Sequence, residues 1–304
     1  MYVILTCLLM YAGCIVYVRT RNATNLGFVR QLSDFSTFMV PFNLPAYWLS
    51  RVPNSAYLDR RHFPELDVLE NNWEVIRDEA LALYEQGYVG ISEALPASNF
   101  YRDGRWTSFY LKLYDNEIPS ARELAPRTMA LIDQVPYMNI ALFACLNPGK
   151  KINKHHDPFA YTLRYSLGLS TPNSDECGIE VNGVDYKWKD GEGIIFDETY
   201  LHHAYNRTDQ PRLILMTDID RPLLLAPLQR FYWWFGRTFN RLFAVDNVDS
   251  SYSGVGNRLG KALLAYRGFL KSVKKRNKPF YVASKVLVIG ALLWWLAQWL
   301  IARG

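Results

Sequence analysis

Residues 178–197 read GIEVNGVDYKWKDGEGIIFD, and this stretch decides the fold. It contains three short runs of β-type residues that are separated by Asn182-Gly183 and Asp190-Gly191. An Asn-Gly pair between two such runs is a strong hairpin signal, because both central residues of the tightest turns need positive φ. The stretch therefore predicts antiparallel strands joined by tight turns.

The same texture extends over residues 138–220. The β-type runs are 139–146, 161–169, 178–181, 185–188, 193–197, 202–205 and 212–219. So many short strands predict a mainly β core of the sandwich or barrel type. A helical repeat of apolar residues over 65–88 and capping-box spacing at Ser120 and Glu123 predict two helices that pack outside this core.

Both ends of the chain are apolar. Residues 2–18 and 286–302 are each seventeen uncharged residues, roughly 25 Å long as a helix. Basic residues follow the first run and precede the second, which by the positive-inside rule places the residues between them on the cytoplasmic side of a membrane. We therefore expect a transmembrane helix at each end; the alternative is that one of the two runs is a core helix.

A basic and aromatic region precedes the second apolar run. Residues 258–278 carry eight basic residues and no acidic one, and the aromatic residues 231–235 lie between Arg230 and Arg237. Interleaved apolar residues favour contact with anionic lipid at a membrane surface over binding to nucleic acid. For residues 231–235 a core-facing helix is the alternative.

Four of the five histidines form two doublets, in NKHHDP (residues 153–158) and at 202–203. Residues two apart on a strand share a face, so His155 and Asp157 are expected to project together while His156 points away. His202 lies 47 residues later, at the start of another predicted strand. Two histidines and one carboxylate would form a facial triad that suits non-haem Fe(II), whereas His156 and His203 receive no ligand role.

Arg212 begins the strand after the His202 strand, and residues 206–211 look like a hairpin loop between them. If Asn206 opposes Arg212, the arginine shares a face with His202 and its Cα lies about 13 Å away along the sheet. That gap suits an extended arginine and a five-carbon diacid bound to the metal, and a guanidinium grips a carboxylate in bidentate fashion. The spacing suggests 2-oxoglutarate as co-substrate.

A series of short motifs resembles a known family. They are HHDP (155–158), Arg164, SLGL (166–169), WKDG (188–191), GIIFD (193–197), His202 and RLIL (212–215). Over about residues 100–222 the chain resembles the aspartyl/asparaginyl β-hydroxylase family of Fe(II)/2-oxoglutarate dioxygenases. The resemblance implies a double-stranded β-helix of the jelly-roll or cupin-like type, with Fe(II), 2-oxoglutarate and O2 as cofactors.

The resemblance also implies roles for individual residues. His155 and His202 match the iron-binding histidines of the family. Arg212 matches the arginine that holds the distal carboxylate of 2-oxoglutarate, and Arg164 matches one near its other end.

The chain departs from the peptide-hydroxylating members at two positions. Those members have glycine where this chain has Asp157, so they lack a carboxylate ligand that is available here, and they have histidine where Ser166 stands. Asp157 is therefore expected to be the third metal ligand, and Ser166 is a further cofactor-binding candidate.

The terminal apolar runs and RRHFPELD (residues 60–67) make the chain resemble the lipid A-modifying bacterial members in particular, which are inner-membrane proteins. This implies hydroxylation of lipid A at C2 of a secondary acyl chain, with release of succinate and CO2 on the cytoplasmic face. Hydroxylation of a peptidyl aspartate or asparagine and a non-catalytic membrane scaffold are the alternatives. The expected domains are an anchor at 1–21, a catalytic domain at 22–222 with its β core at about 138–220, a membrane-surface region at 223–279 and a second anchor at 280–304.

Overall fold

The computed structural model describes residues 2–89, 106–116, 118–242, 247, 266 and 268–301. The α-helices are α1 (Tyr2–Arg21), α2 (Phe28–Gln31), α3 (Phe35–Trp48), α4 (Asp67–Glu70), α5 (Trp73–Glu85), α6 (Pro119–Leu124), α7 (Pro126–Ile132), α8 (Ala226–Asn240) and α9 (Lys278–Ile301). Residues 268–276 are also helical, and 3-10 helices cover Arg60–His62 and Pro64–Leu66. The strands are β1 (Tyr57–Leu58), β2 (Trp106–Leu113), β3 (Met138–Leu146), β4 (Thr162–Ser170), β5 (Cys177–Val181), β6 (Val184–Lys187), β7 (Gly193–Phe196), β8 (His202–Asn206) and β9 (Arg212–Asp220).

Two antiparallel sheets form the core of the described part of the chain. One has the strand order β1-β7-β4-β9-β3-β2 and the other has the order β6-β5-β8. Every pair of neighbouring strands is antiparallel. The mainly β core that the sequence predicts is therefore present, and two antiparallel sheets are the arrangement expected of a jelly roll.

The hairpin at Asn182-Gly183 forms as predicted. Val181 pairs with Val184 across the turn, and the two turn residues have φ of 53° and 83°. Asn and Gly are the residues that adopt positive φ most readily, so this pair sets the register of β5 and β6. On its other edge β5 pairs with β8, where Val181 lies opposite His202.

The inner faces of the two sheets carry the polar residues of the candidate site. On the large sheet Arg164 pairs with Asp218, so their side chains share a face, and alternation along β9 puts Arg212 on the same face. On the small sheet His202 is buried and shares a face with the buried Val181. These two faces point toward each other, so side chains from both sheets meet in the space between them.

The predicted hairpin of the His202 and Arg212 strands is wrong. Strand β8 pairs with β5, whereas β9 pairs with β3 and β4, so the two strands belong to different sheets. The connection changes sheets because Asn206 donates from Nδ2 to the carbonyls of Leu146 (3.1 Å) and Gln210 (2.7 Å) and so fixes the crossing point. Leu146 is the partner of Arg212 in β3, so Arg212 still lies level with Asn206.

The terminal helices correct the sequence analysis. Within the described residues, no helix has both the length and the apolar character that crossing a bilayer requires, so the predicted transmembrane helix at each end is wrong. The predicted inner-membrane location with a cytoplasmic catalytic domain is overturned by the same finding. Part of the first apolar run is instead used inside the molecule, because Cys14 and Val18 of α1 pack on Val40 of α3. Helix α9 also contacts α1, and Lys285 Nζ donates to the Val29 carbonyl at 2.9 Å.

Two other predicted segments differ in detail. The long helix expected over 65–88 is divided into a 3-10 turn, α4 and α5, and the helix expected from Ser120 is divided where Pro126 starts α7, since proline cannot continue a preceding helix. Of the predicted membrane-surface region, residues 243–246, 248–265 and 267 lie outside the described residues, and with them part of the basic stretch 258–278.

Candidate metal centre and anion site

Backbone hydrogen bonds bring His155 and His202 together. The His155 N–H donates to the His202 carbonyl at 3.0 Å, and the His202 N–H donates back to His155 at 2.9 Å. His155 lies in an irregular segment that is linked to β8 by isolated bridges, this one and Lys151 with Tyr205, rather than on a regular strand, which corrects the strand expected there. The two imidazole centroids are 4.2 Å apart.

Each imidazole is oriented by a backbone carbonyl. His155 Nδ1 lies 2.8 Å from the Asn153 carbonyl, and His202 Nδ1 lies 2.9 Å from the Tyr200 carbonyl. Because a carbonyl can only accept, each of these hydrogen bonds requires the proton on Nδ1 and leaves the lone pair on Nε2. This is the way in which proteins commonly orient a metal-binding histidine.

Asp157 completes a group of three. Its N–H donates to the Glu198 carbonyl at 2.9 Å, and its Oδ1 lies 3.8 Å from His155 Nε2. One ligand atom each from His155, Asp157 and His202 lie within 4.8 Å of one another. The His155 and Asp157 side chains are 20% and 25% exposed, so the group is open on one side, where further ligands can enter.

The protonation states of this group suit a cation. Burial lowers the pKa of His155, and burial likewise lowers the pKa of His202 to about 3. Burial alone would raise the pKa of Asp157, but the charge of Arg164 and the other polar neighbours together outweigh it and hold that pKa below its usual range. At neutral pH the three side chains therefore present two neutral imidazoles and one carboxylate. These are the forms that bind a metal, and the donor set is the one that non-haem Fe(II) prefers.

Arg164 is held by three carboxylates. Its guanidinium lies 2.8 Å from Asp157 Oδ2 and 2.8 Å from Asp218 Oδ1, and it also pairs with Glu198. Burial alone would lower the pKa of Arg164, but the three carboxylates raise it well above its ordinary value. One oxygen of Asp157 is thus fixed by Arg164, and the other is directed toward the histidines.

Arg212 is a buried guanidinium with missing partners. It is 1% exposed, and neither its Nε nor its Nη2 has a hydrogen-bond partner among the described residues. Its guanidinium lies 5.6 Å from the ring centroid of Trp106 and 5.1 Å from that of Trp188, and both indole N–H groups are also unpartnered. A buried charge without hydrogen-bond partners is costly, so this cluster of donors fits an anion.

The remaining site candidates occupy different places. Ser166 is buried on the inner face of β4, opposite Met216. Among the aromatic residues near this site, Phe109 and Tyr110 are fully buried core residues and Trp106 lies at Arg212. Phe159, two residues after Asp157, lies in an aromatic cluster near the metal group.

The two other histidines of the doublets face elsewhere. His156 Nδ1 is 3.5 Å from Asp34 Oδ1, and His203 Nδ1 is 3.6 Å from Glu180 Oε1. Neither belongs to the group of three ligand atoms.

Sequence reasoning missed Glu198 and Asp218, the other two partners of Arg164. Asp218 follows Ile214 and Met216 on the inner face of β9, and an acidic residue in such a position is a signal that could have been followed, since buried charges are paired. Glu198 follows β7 directly, in the segment DET (residues 197–199), but its pairing depends on tertiary contacts that spacing does not reveal.

Comparison with known proteins places this chain in a described family. The model of the family "Aspartyl/Asparaginyl beta-hydroxylase" matches residues 70–222. The ornithine lipid ester-linked acyl 2-hydroxylase of Rhizobium tropici is 29% identical over 178 residues, which are 57% of this chain and 63% of that protein.

Two human proteins are similar as well. Aspartate beta-hydroxylase domain-containing protein 2 is 31% identical over 196 residues, which are 59% of this chain and 51% of that protein. Aspartyl/asparaginyl beta-hydroxylase is 30% identical over 168 residues, which are 53% of this chain and 22% of that protein. The chain thus spans less than two thirds of the length of each of these three relatives.

Proposed function

This chain belongs to the aspartyl/asparaginyl β-hydroxylase family, and from that premise we propose that it is an Fe(II)- and 2-oxoglutarate-dependent dioxygenase that hydroxylates a lipid acyl chain. The family inferred from the sequence motifs is confirmed. In the proposed reaction, one atom of O2 enters a C–H bond as hydroxyl and the other enters succinate, while 2-oxoglutarate loses CO2. The observation that carries this proposal is the convergence of His155, Asp157 and His202 within 4.8 Å.

We assign the ion to these three side chains. His155 and His202 would bind through Nε2, and Asp157 would bind through the carboxylate oxygen that faces them. When bound, Fe(II) supplies the chemistry that activates O2 and decarboxylates 2-oxoglutarate. The protein keeps the imidazoles neutral and correctly rotated, and it leaves the exposed side of the group open for co-substrates.

Arg212 would hold the carboxylate of 2-oxoglutarate that lies far from the ion. It lies level with Asn206 on β8, four residues from His202, which corresponds to about 13 Å along the strand. The unpartnered Nε and Nη2 lie on one edge of the guanidinium and can donate two parallel hydrogen bonds to a carboxylate. The indole N–H groups of Trp106 and Trp188 would complete the anion site.

Arg164 and Ser166 remain candidates near the other end of 2-oxoglutarate. The three carboxylates around Arg164 support a further role, which is to fix one oxygen of Asp157 so that the other faces the ion. Ser166 lies on the same inner face of β4, two residues along, and would line the space between the ion and Arg212.

A wall of aromatic side chains supports a lipid substrate. Phe159 contacts Phe42, Phe235 and Phe239, with ring centroids 5.6 to 6.0 Å apart, so apolar surface continues from Asp157 to helix α8. The rhizobial relative is named for the acyl chain of an ornithine lipid. We propose that an acyl chain lies along this wall with its C2 at the metal centre. Two lipids could supply such an acyl chain. One is lipid A, through a secondary acyl chain, as the sequence motifs suggest. The other is an ornithine lipid, through an ester-linked acyl chain.

Lipid mass spectrometry tests the function. Expression in a bacterial host that makes both lipids is expected to add one oxygen atom to an acyl chain of lipid A or of ornithine lipid, and the two fractions distinguish the substrates. His155→Ala should abolish the gain, because it removes an iron ligand. Unchanged lipids in the presence of folded, iron-loaded protein would contradict the proposal.

The alternatives give different results in the same assay. Turnover of 2-oxoglutarate that is stimulated by acidic peptides but not by lipids would favour a peptidyl hydroxylase. Absence of any Fe(II)-dependent turnover would favour a scaffold.

The exposed side of helix α8 supports contact with a lipid surface. Tyr232 and Gly236 face the body, whereas Phe231 and Trp234 are exposed beside the exposed Arg230. Aromatic residues next to a cation are typical of helices at a bilayer surface, where the charge attracts anionic lipid. We propose that this side of α8 contacts the bilayer that carries the substrate, as part of the surface region expected from the sequence.

Vesicle sedimentation tests this contact. The double substitution Phe231→Ser and Trp234→Ser is expected to weaken binding to phosphatidylglycerol-containing vesicles at least about tenfold, because it removes two large apolar side chains from the interface. Val184→Ser, which changes an exposed apolar residue on β6, serves as the control and should leave binding unchanged. Equal binding of the double variant and the unaltered protein would contradict the assignment.

A further inference from the structure

The end of helix α1 touches the loop that connects β7 to β8, residues 197–201. Asn22 Oδ1 accepts a hydrogen bond from the Leu201 N–H at 2.7 Å. The Asn22 amide is itself held, because its Nδ2 donates to the Val18 carbonyl at 2.8 Å. The side chain is 6% exposed, so water does not compete for these bonds.

Arg21 binds the same loop through its side chain. Its Nη2 donates to Asp197 Oδ2 at 2.6 Å, and its Nη1 donates to Thr199 Oγ1 at 2.6 Å. The guanidinium lies between the rings of Tyr47 and Tyr200, at 4.1 and 3.9 Å from their centroids. Tyr47, on α3, also donates from its hydroxyl to Thr199 Oγ1 at 2.8 Å. The loop is thus held from outside the sheets, in addition to the ion pair of Asp197 with Arg221 and the bond of the Tyr200 hydroxyl to the Asn54 carbonyl.

Two of the three candidate ligands depend on carbonyls of this loop. The Glu198 carbonyl accepts from the Asp157 N–H, and the Tyr200 carbonyl accepts from His202 Nδ1. Leu201 connects Tyr200 to His202 and also accepts from the Asn182 N–H at 2.8 Å. A displacement of the loop would therefore rotate the His202 ring and shift Asp157 together.

We propose that Arg21 and Asn22 are positioning residues for the metal centre, acting through the loop 197–201. Both precede the residues 70–222 matched by the family model, so the catalytic geometry is completed by a segment outside that match. The inference rests on the proposed metal centre and adds residues to it. Partners that orient metal ligands typically change metal affinity by about 10- to 100-fold when removed.

The first readout is metal binding by the full chain. Arg21→Met and Asn22→Leu remove the contacts with little change in volume, and each is expected to weaken Co(II) binding at least about tenfold in an anaerobic titration. Asn22→Asp, which keeps an acceptor for the Leu201 N–H, should recover part of the affinity. Asn25→Leu is the matched control, because Asn25 lies at the same helix end and, within the part of the chain that the structure describes, its side chain donates only to the carbonyls of Arg19 and Asn22.

The second readout needs no metal. Nitrogen NMR of the imidazoles reports whether His202 is protonated on Nδ1, as its bond to Tyr200 requires, and the variants are expected to show a mixture of the two neutral tautomers. If the unaltered protein binds no Co(II), the proposed function fails, but the tautomer measurement still decides the role of Arg21 and Asn22. Folded variants that retain both the metal affinity and the single His202 tautomer would overturn the inference and leave these residues with a purely structural role.

Discussion

Replacing Arg212 with leucine is expected to raise the KM for 2-oxoglutarate at least about 30-fold, as measured by succinate formation. The unpartnered edge of this buried guanidinium is the group that we assign to the distal carboxylate. Loss of a desolvated, bidentate ion pair typically costs about 2–5 kcal/mol, which corresponds to a factor of about 30 or more in affinity. Arg212→Lys should give an intermediate KM, because an ammonium keeps the charge but cannot form the fork.

The same substitution is expected to weaken 2-oxoglutarate binding but to increase the stability of the fold, so its effects on binding and on folding can be told apart. Without 2-oxoglutarate, Arg212→Leu is expected to raise the midpoint of thermal unfolding, because it removes a buried charge that lacks hydrogen-bond partners. Arg207→Leu is the control, since Arg207 is an exposed arginine of the neighbouring connection that pairs with Glu176. If Arg212→Leu leaves the KM for 2-oxoglutarate unchanged, the assignment of Arg212 to the distal carboxylate is wrong.

Replacing His202 with alanine is expected to lower 2-oxoglutarate turnover at least about 1000-fold at saturating Fe(II). The imidazole is one of the three side chains that we assign to the ion, and a site with two remaining ligands would neither retain nor orient it. Turnover is measured as the Fe(II)-dependent release of CO2 from 2-oxoglutarate.

His203→Ala is the control for this substitution. His203 is the next residue on β8, but it points to the outer side of the small sheet and lies near Glu180. Turnover of 2-oxoglutarate by His203→Ala should match that of the unaltered protein. If His202→Ala and His203→Ala lose the same activity, the loss reflects a general disturbance of β8, and the assignment of His202 as a metal ligand is wrong.

Local patterns were enough to predict the strands and the hairpin. Asn182-Gly183 encodes its own turn, because positive φ is a property of these two residues and needs no tertiary contact. The pairing of His155 and Asp157 was likewise predictable, since the two residues are only two apart. His202 could be added because it begins another predicted strand, and its position also resembles that of an iron-binding histidine in the family.

Tertiary contacts between distant segments explain what was missed. The sequence between β8 and β9 resembles a hairpin loop, and only the bonds of the Asn206 amide to Leu146 and Gln210 show that the chain changes sheets there. The three carboxylates of Arg164 come from three separate segments, so spacing could not identify them.

The transmembrane helix predicted from the N-terminal apolar run is wrong for a similar reason. Its hydropathy predicted an anchor, whereas Arg21 at its end reaches Asp197 in the core. A run of apolar residues does not by itself distinguish packing inside a protein from contact with lipid.

Anaerobic Fe(II) titration of the full chain tests the central claim most directly, because it measures the metal centre without any assumption about the substrate. The expected result is one ion per chain at about pH 7 to 8, with little pH dependence, since burial already keeps His155 and His202 neutral. Asp157→Ala should weaken this binding at least about 100-fold, whereas His156→Ala should leave it unchanged. Failure of the unaltered, folded chain to bind Fe(II), or equal binding by Asp157→Ala, would contradict the account.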